Sequence, residues 1–146
     1  MPDIKWSASS RSNPVSVLTT ELNSLANDAA VTTGTFSNTT ERDTLVDFEL
    51  VVAYGTAPTA DKTVDLYAIR QIDGTNYEDA SASRPPANGF LGSFVLDNTT
   101  STQRKQIAGV VLPPLTCKFL IVNKAGQAMA ASANTLKAYV YNSAVV

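Results

Sequence analysis

The sequence predicts an all-β domain, an antiparallel sandwich or barrel with one short helix, preceded by an extended N-terminal arm. Three observations lead there. In residues 45–54 the even positions Val46, Phe48, Leu50, Val52 and Tyr54 are apolar without a break and Asp47 and Glu49 lie between them, the period of a strand with one wet face. Turn-forming residues recur along the chain and divide it into eight or nine short segments of this kind. Helical periodicity occurs at one place, where Leu22, Leu25, Ala26 and Ala29 follow the i, i+3, i+4, i+7 rule.

Taken in order, residues 1–14 form the polar arm, in which Ser7, Ser9, Ser10, Ser12 and Asn13 surround two bulky apolar side chains, Ile4 and Trp6. Such a segment cannot build a core of its own, so the domain proper is placed at 15–146. Val15 and Val17 alternate about Ser16 as a short strand. Thr20 then caps the predicted helix, with Glu21 at its positive end. Two helical turns are marginal alone and must lie on the sheet. Residues 31–36 read as a strand and 37–40 as a polar loop into the strand at 45–54. Pro58 closes that strand, and 63–72 resumes alternation through Val64, Leu66 and Ala68.

Asp73-Gly74 is a hairpin turn, because both positions tolerate positive φ, and 75–80 is the predicted return strand. Arg84-Pro85-Pro86 and Asn88-Gly89 then forbid both helix and ladder, giving a long loop over 81–89. Phe90, Gly92, Phe94 and Leu96 share one face of the next strand. Residues 103–112 form another, stopped by Pro113-Pro114. Cys117, Phe119 and Ile121 mark the following strand and 135–142 the last, with the small-residue stretch 128–133 unassigned between them.

At 146 residues, one domain can bury on the order of 70% of its unfolded surface. Hydrophobic residues make up 44% and charged residues 16%, which excludes the disordered class. A net charge of -2 and no basic cluster larger than Arg104-Lys105 argue against nucleic-acid binding. The N-terminus has no apolar core of a signal peptide and no window is long enough to span a bilayer, so neither Sec-type export nor a membrane partner is expected. The single cysteine, Cys117, sits in an apolar run and is expected to be a buried, inert thiol.

The chain contains no histidine. That removes Ser-His and Cys-His nucleophile pairs, imidazole acid-base chemistry and the commonest zinc ligand. A two-carboxylate glycosidase needs only Asp and Glu, but Asp47 and Glu49 on one wet strand face are more simply solubilising. The acidic run at 73–79 departs from a calcium loop, since Thr75 and Tyr77 hold positions that need acidic or amide ligands. Asn38 and Asn98 match the glycosylation sequon, which means little without a signal peptide. No catalytic residue, cofactor or metal is therefore expected. Trp6, Tyr67, Tyr77, Tyr139 and Tyr141 could form an aromatic platform for sugars, although tyrosines on strands more often pack at a rim.

The order of landmarks carries a resemblance. Leu-Thr-Thr-Glu-Leu-Asn-Ser-Leu-Ala-Asn at 18–27 is followed by Val-Asp-Phe-Glu-Leu at 46–50, Asp-Gly-Thr-Asn-Tyr at 73–77 and Arg-Pro-Pro-Ala at 84–87. Gly-Ser-Phe at 92–94, Leu-Pro-Pro at 112–114, Lys-Phe-Leu at 118–120, Ala-Gly-Gln-Ala-Met-Ala-Ala at 125–131 and Asn-Thr-Leu-Lys at 134–137 complete it. Over residues 15–142 the chain resembles small virion proteins of tailed bacteriophages, similar to capsid decoration or cement proteins with a jelly-roll sandwich. The resemblance implies a non-enzymatic structural protein, made in the bacterial host cytoplasm and bound to the outer capsid surface. Its partners would be the major capsid protein and further copies of itself, a trimer favoured and a dimer next. The arm lies outside the matched pattern. Its apolar Ile4 and Trp6 suit anchoring, and Lys5 and Arg11 suit polar contacts at the rim of a capsid or subunit interface. A tail or neck component of the virion, or a glycan-binding module on a head or tail fibre, are the alternatives.

Overall fold

The chain folds into nine strands that form two facing antiparallel sheets. The computed structural model describes residues 2–145, Val145 by its backbone alone. Its strands are β1 (Ile4–Ala8), β2 (Val15–Leu18), β3 (Ala30–Thr32), β4 (Leu45–Val52), β5 (Thr63–Arg70), β6 (Phe90–Val95), β7 (Gln103–Val111), β8 (Cys117–Lys124) and β9 (Thr135–Val145). One sheet runs β1-β9-β4-β7, with β2 also pairing with β9, and the other runs β3-β8-β5-β6. Setting β1 aside, strands β2, β9, β4 and β7 face β3, β8, β5 and β6. Successive strands mostly cross between the sheets, which is the double Greek key of a jelly roll.

The strand at 45–54 is an interior strand, with β9 on one side and β7 on the other. Its inward side chains Val46, Phe48, Leu50 and Val52 are at most 1% exposed, because each meets the inner face of the opposite sheet. Phe119 on β8 is the centre of that contact. Its ring lies edge-on to Phe48 at 4.9 Å and to Phe36 at 5.5 Å, the geometry that aromatic quadrupoles favour.

The predicted helix over 20–29 does not form. Ser24 and Asp28 adopt φ of 60° and 58°, outside the helical region, and the amides of Asn23 and Leu25 bond only three residues back. The buried Asn123 side chain draws on this segment instead, donating to the carbonyls of Leu25 and Ala26. Of the helically spaced positions, Leu22 is fully buried and Leu25 packs on the core, while Ala26 is exposed. The apolar positions are satisfied by turns, and so few residues gain little from helix formation alone.

The predicted strand over 75–80 is likewise absent, apart from a single bridge between Gln71 and Tyr77. Tyr77, Ala80 and Ala82 lie instead over Ile69, Leu120 and Val122 on the outer face of the four-stranded sheet. This explains why β8 is apolar on both faces: the long loop is its second cover.

The segment before Val15 is structured. Residues 4–8 add β1 to the sheet along β9, and Arg11 ties the connection down. Its guanidinium bonds the Asp43 carboxylate at 2.9 Å, Glu41 at 2.8 Å and the Ser37 carbonyl, and lies 4.6 Å over the Phe36 ring. The extended arm thus belongs to the five-stranded sheet.

Candidate functional site

Pairing register decides which side chains share the outer face of the five-stranded sheet. Because Val46, Phe48 and Leu50 point into the core, Asp47 and Glu49 and the residues opposite them must point out. Asp47 faces Tyr139, and Glu49 faces Lys137 on β9 and Gln106 on β7. β1 extends the same face, with Ala8 opposite Tyr141 and Trp6 opposite Ser143. The Trp6 ring meets Tyr141 edge-on, centroids 5.4 Å apart and planes at 78°. Trp6, Tyr141 and Tyr139 therefore form one row, in which Trp6 is 73% and Tyr139 53% exposed. Tyr141 is half-buried between them.

The row is held from below. The Tyr141 hydroxyl donates to Asp47 Oδ1 at 3.0 Å, and the Gly109 amide donates to the same oxygen at 2.6 Å. Gly109 has φ +68°, which glycine adopts without a Cβ penalty, and it lies where β7 bulges against β4. Burial, and next the Asp47 carboxylate, hold the Tyr141 phenol above the ordinary tyrosine range. Glu49 pairs with Arg104 and accepts a long bond from Gln106 Nε2 at 3.5 Å. Beside Tyr139 these side chains border a shallow groove of about 360 Å³, lined by Pro14, Asp47, Glu49, Gln106, Lys137 and Tyr139. Aromatic faces beside carboxylate, amide and ammonium groups on a rigid sheet can stack a flat apolar surface while bonding its polar edge.

No family model matches this chain, and no curated protein matches it. Among solved structures it is similar to the CBM36-1 domain of a multidomain xylanase from the hindgut metagenome of Trinervitermes trinervoides, at 14% identity over 100% of both chains with a TM-score of 0.48. It is also similar to the Caldicellulosiruptor saccharolyticus CBM27-1 in complex with mannohexaose, at 9% identity over 95% of each chain with a TM-score of 0.37.

The candidate contact residues divide. Ile4, Lys5 and Trp6 are exposed on β1, Ile4 at 77%. Arg11 is turned inward to Asp43 and Glu41, so its charge is spent within the molecule and it does not join them. Of the candidate sugar-stacking aromatics, Trp6, Tyr139 and Tyr141 come together. Tyr67 packs on Phe90 in the other sheet at 5.4 Å, and Tyr77 lies beneath Lys118 and bonds Thr35. Asp73 accepts from the amides of Thr75 and Asn76, an Asx turn that uses up the carboxylate. Among the described residues no group of three His, Cys, Asp or Glu side chains could hold a metal ion. The sequon residue Asn38 is fully buried and donates to the carbonyls of Asp43 and Pro113, so it is closed to glycosylation. Gln106 and Lys137 were not singled out by sequence. The signal for them was alternation within β7 and β9, which needs the register to become a shared face.

Proposed function

We propose that the protein is a non-catalytic carbohydrate-binding module whose ligand lies along Trp6, Tyr141 and Tyr139. The observation that carries this reading is the row itself: two strongly exposed aromatic rings flanking a third on one sheet face, bordered by Glu49, Gln106 and Lys137. The apolar face of a sugar ring stacks on such rings, and its equatorial hydroxyls reach the polar border. A strand-borne site holds its geometry without ordering a loop, which lowers the entropy cost of binding. Affinity electrophoresis through a panel of soluble polysaccharides, followed by calorimetry with oligosaccharides, tests it. Retardation by at least one polysaccharide is expected, with affinity about tenfold weaker for Trp6→Ala or Tyr139→Ala at unchanged melting temperature. Mobility unaffected by every polysaccharide would remove the reading.

A second reading is attachment to the outside of a bacteriophage head, with the major capsid protein as partner. It is favoured by Ile4 and Trp6, both more than 70% exposed on a strand at the sheet edge. The two readings share Trp6 but not Tyr139. Binding to bare capsids that is lost in Ile4→Ala and kept in Tyr139→Ala would select attachment.

A further inference from the structure

We propose that two copies of this protein join edge to edge through β1, pairing antiparallel about a two-fold axis perpendicular to the five-stranded sheet. β1 is the terminal strand and pairs with β9 alone, so among the described residues its outer row of N–H and C=O groups faces no strand. The pairing of β4 with β9 ends at Tyr141, and beyond it β1 and β9 continue as a two-stranded ribbon from Ser7–Asn142 to Ile4–Val145. This ribbon continues the five-stranded sheet, and a third strand along β1 would extend it as it would any open sheet edge. The ribbon carries Ile4 and Trp6 at 77% and 73% exposure on one face.

Edge strands are ordinarily guarded by charge. The guard here is Lys5, and its counter-charge, Asp3, is the exposed residue just before β1, which a strand lengthened by one residue would set on the same face. About a perpendicular two-fold, each residue can oppose only residues of its own parity in the partner. Pairing centred on Lys5 sets two ammonium groups against each other, and pairing centred on Trp6 leaves Lys5 opposite a serine. Pairing centred on Ile4 sets Asp3 opposite the partner's Lys5, Lys5 opposite the partner's Asp3, and Ile4 opposite the partner's Ile4. That register alone neutralises the guard twice while covering an exposed apolar residue.

The contact is isologous and closes after two copies. Because the axis is perpendicular to the sheet, both Trp6–Tyr141–Tyr139 rows face the same way. If the carbohydrate reading holds, one polymer crossing both rows gains avidity. The dimer itself does not rest on that reading.

Sedimentation velocity of the full chain over a concentration series tests the pairing without any ligand. A reversible dimer is expected. Lys5→Asp and Asp3→Lys should each weaken it about tenfold, and the double variant D3K/K5D should restore it. Both positions are exposed in the monomer, so melting temperatures measured at concentrations where the protein is monomeric should be unchanged and folding failure is distinguishable. A monomer at all concentrations overturns the proposal. So does a trimer, an oligomer indifferent to the charge swaps, or a monomer whose β1 binds capsids instead.

Discussion

The Tyr141 hydroxyl and the Gly109 amide converge on one oxygen of Asp47, at 3.0 and 2.6 Å. One carboxylate on the wet face of β4 thereby fixes an aromatic on β9 and a bulge on β7. Its role is positional, where sequence reading gave it only solubility.

Asp47→Ala should therefore lose two charge-assisted bonds and cost about 2 kcal/mol in chemical denaturation, discounted for the partial exposure of the site. It should also weaken polysaccharide retention while leaving Trp6 and Tyr139 in place. Asp47→Asn, which keeps an acceptor, is expected to fall between this variant and wild type in both measurements.

Phe48→Ala removes the ring that meets Phe119 edge-on at 4.9 Å between the sheets. The expected cost is about 3–5 kcal/mol, read from the denaturant midpoint. A variant with the wild-type midpoint would contradict the packing described for β4.

Arg11→Ala leaves Asp43, whose side chain is fully buried, with Ser9 and Asn142 as its remaining donors. Removing one partner of a buried pair should cost about 3 kcal/mol. Arg11→Lys should restore little, because one ammonium cannot serve Asp43, Glu41 and the Ser37 carbonyl together. Neither variant should alter ligand affinity once the loss of folded protein is corrected for. Deleting the whole segment before Val15 would confound attachment with this folding loss, so point variants at Ile4 and Trp6 are the cleaner comparison.

Alkaline pH should destabilise the fold. Burial raises the Cys117 thiol from 9.0 to about 12, and burial likewise raises the Tyr54 phenol. Both groups are neutral in the folded state, and the unfolded chain loses these protons first. Their stabilisation is complete below the unfolded values, falls as pH rises past about 9 and is exhausted only above the folded values. Urea midpoints measured from pH 8 upward should decline, and less steeply for Cys117→Ala. The same burial predicts that a thiol reagent labels Cys117 only as fast as the protein opens.

Most strands were legible in the sequence: burial on one face writes itself as period-two alternation in β4, β5 and β9, while β8 reads as a continuous apolar run because it is covered on both faces. The helix over 20–29 and the strand over 75–80 were not, since their apolar residues satisfy the same patterns while packing as turns and as a cover. Asn123 and the outer side of β8 made those choices, and both lie far away in sequence. The row of Trp6, Tyr141 and Tyr139 shows the same division. Alternation alone put Tyr139 and Tyr141 on one face of β9. Only pairing between the two ends of the chain set Trp6 beside them, because strand register is a long-range contact that no local pattern encodes.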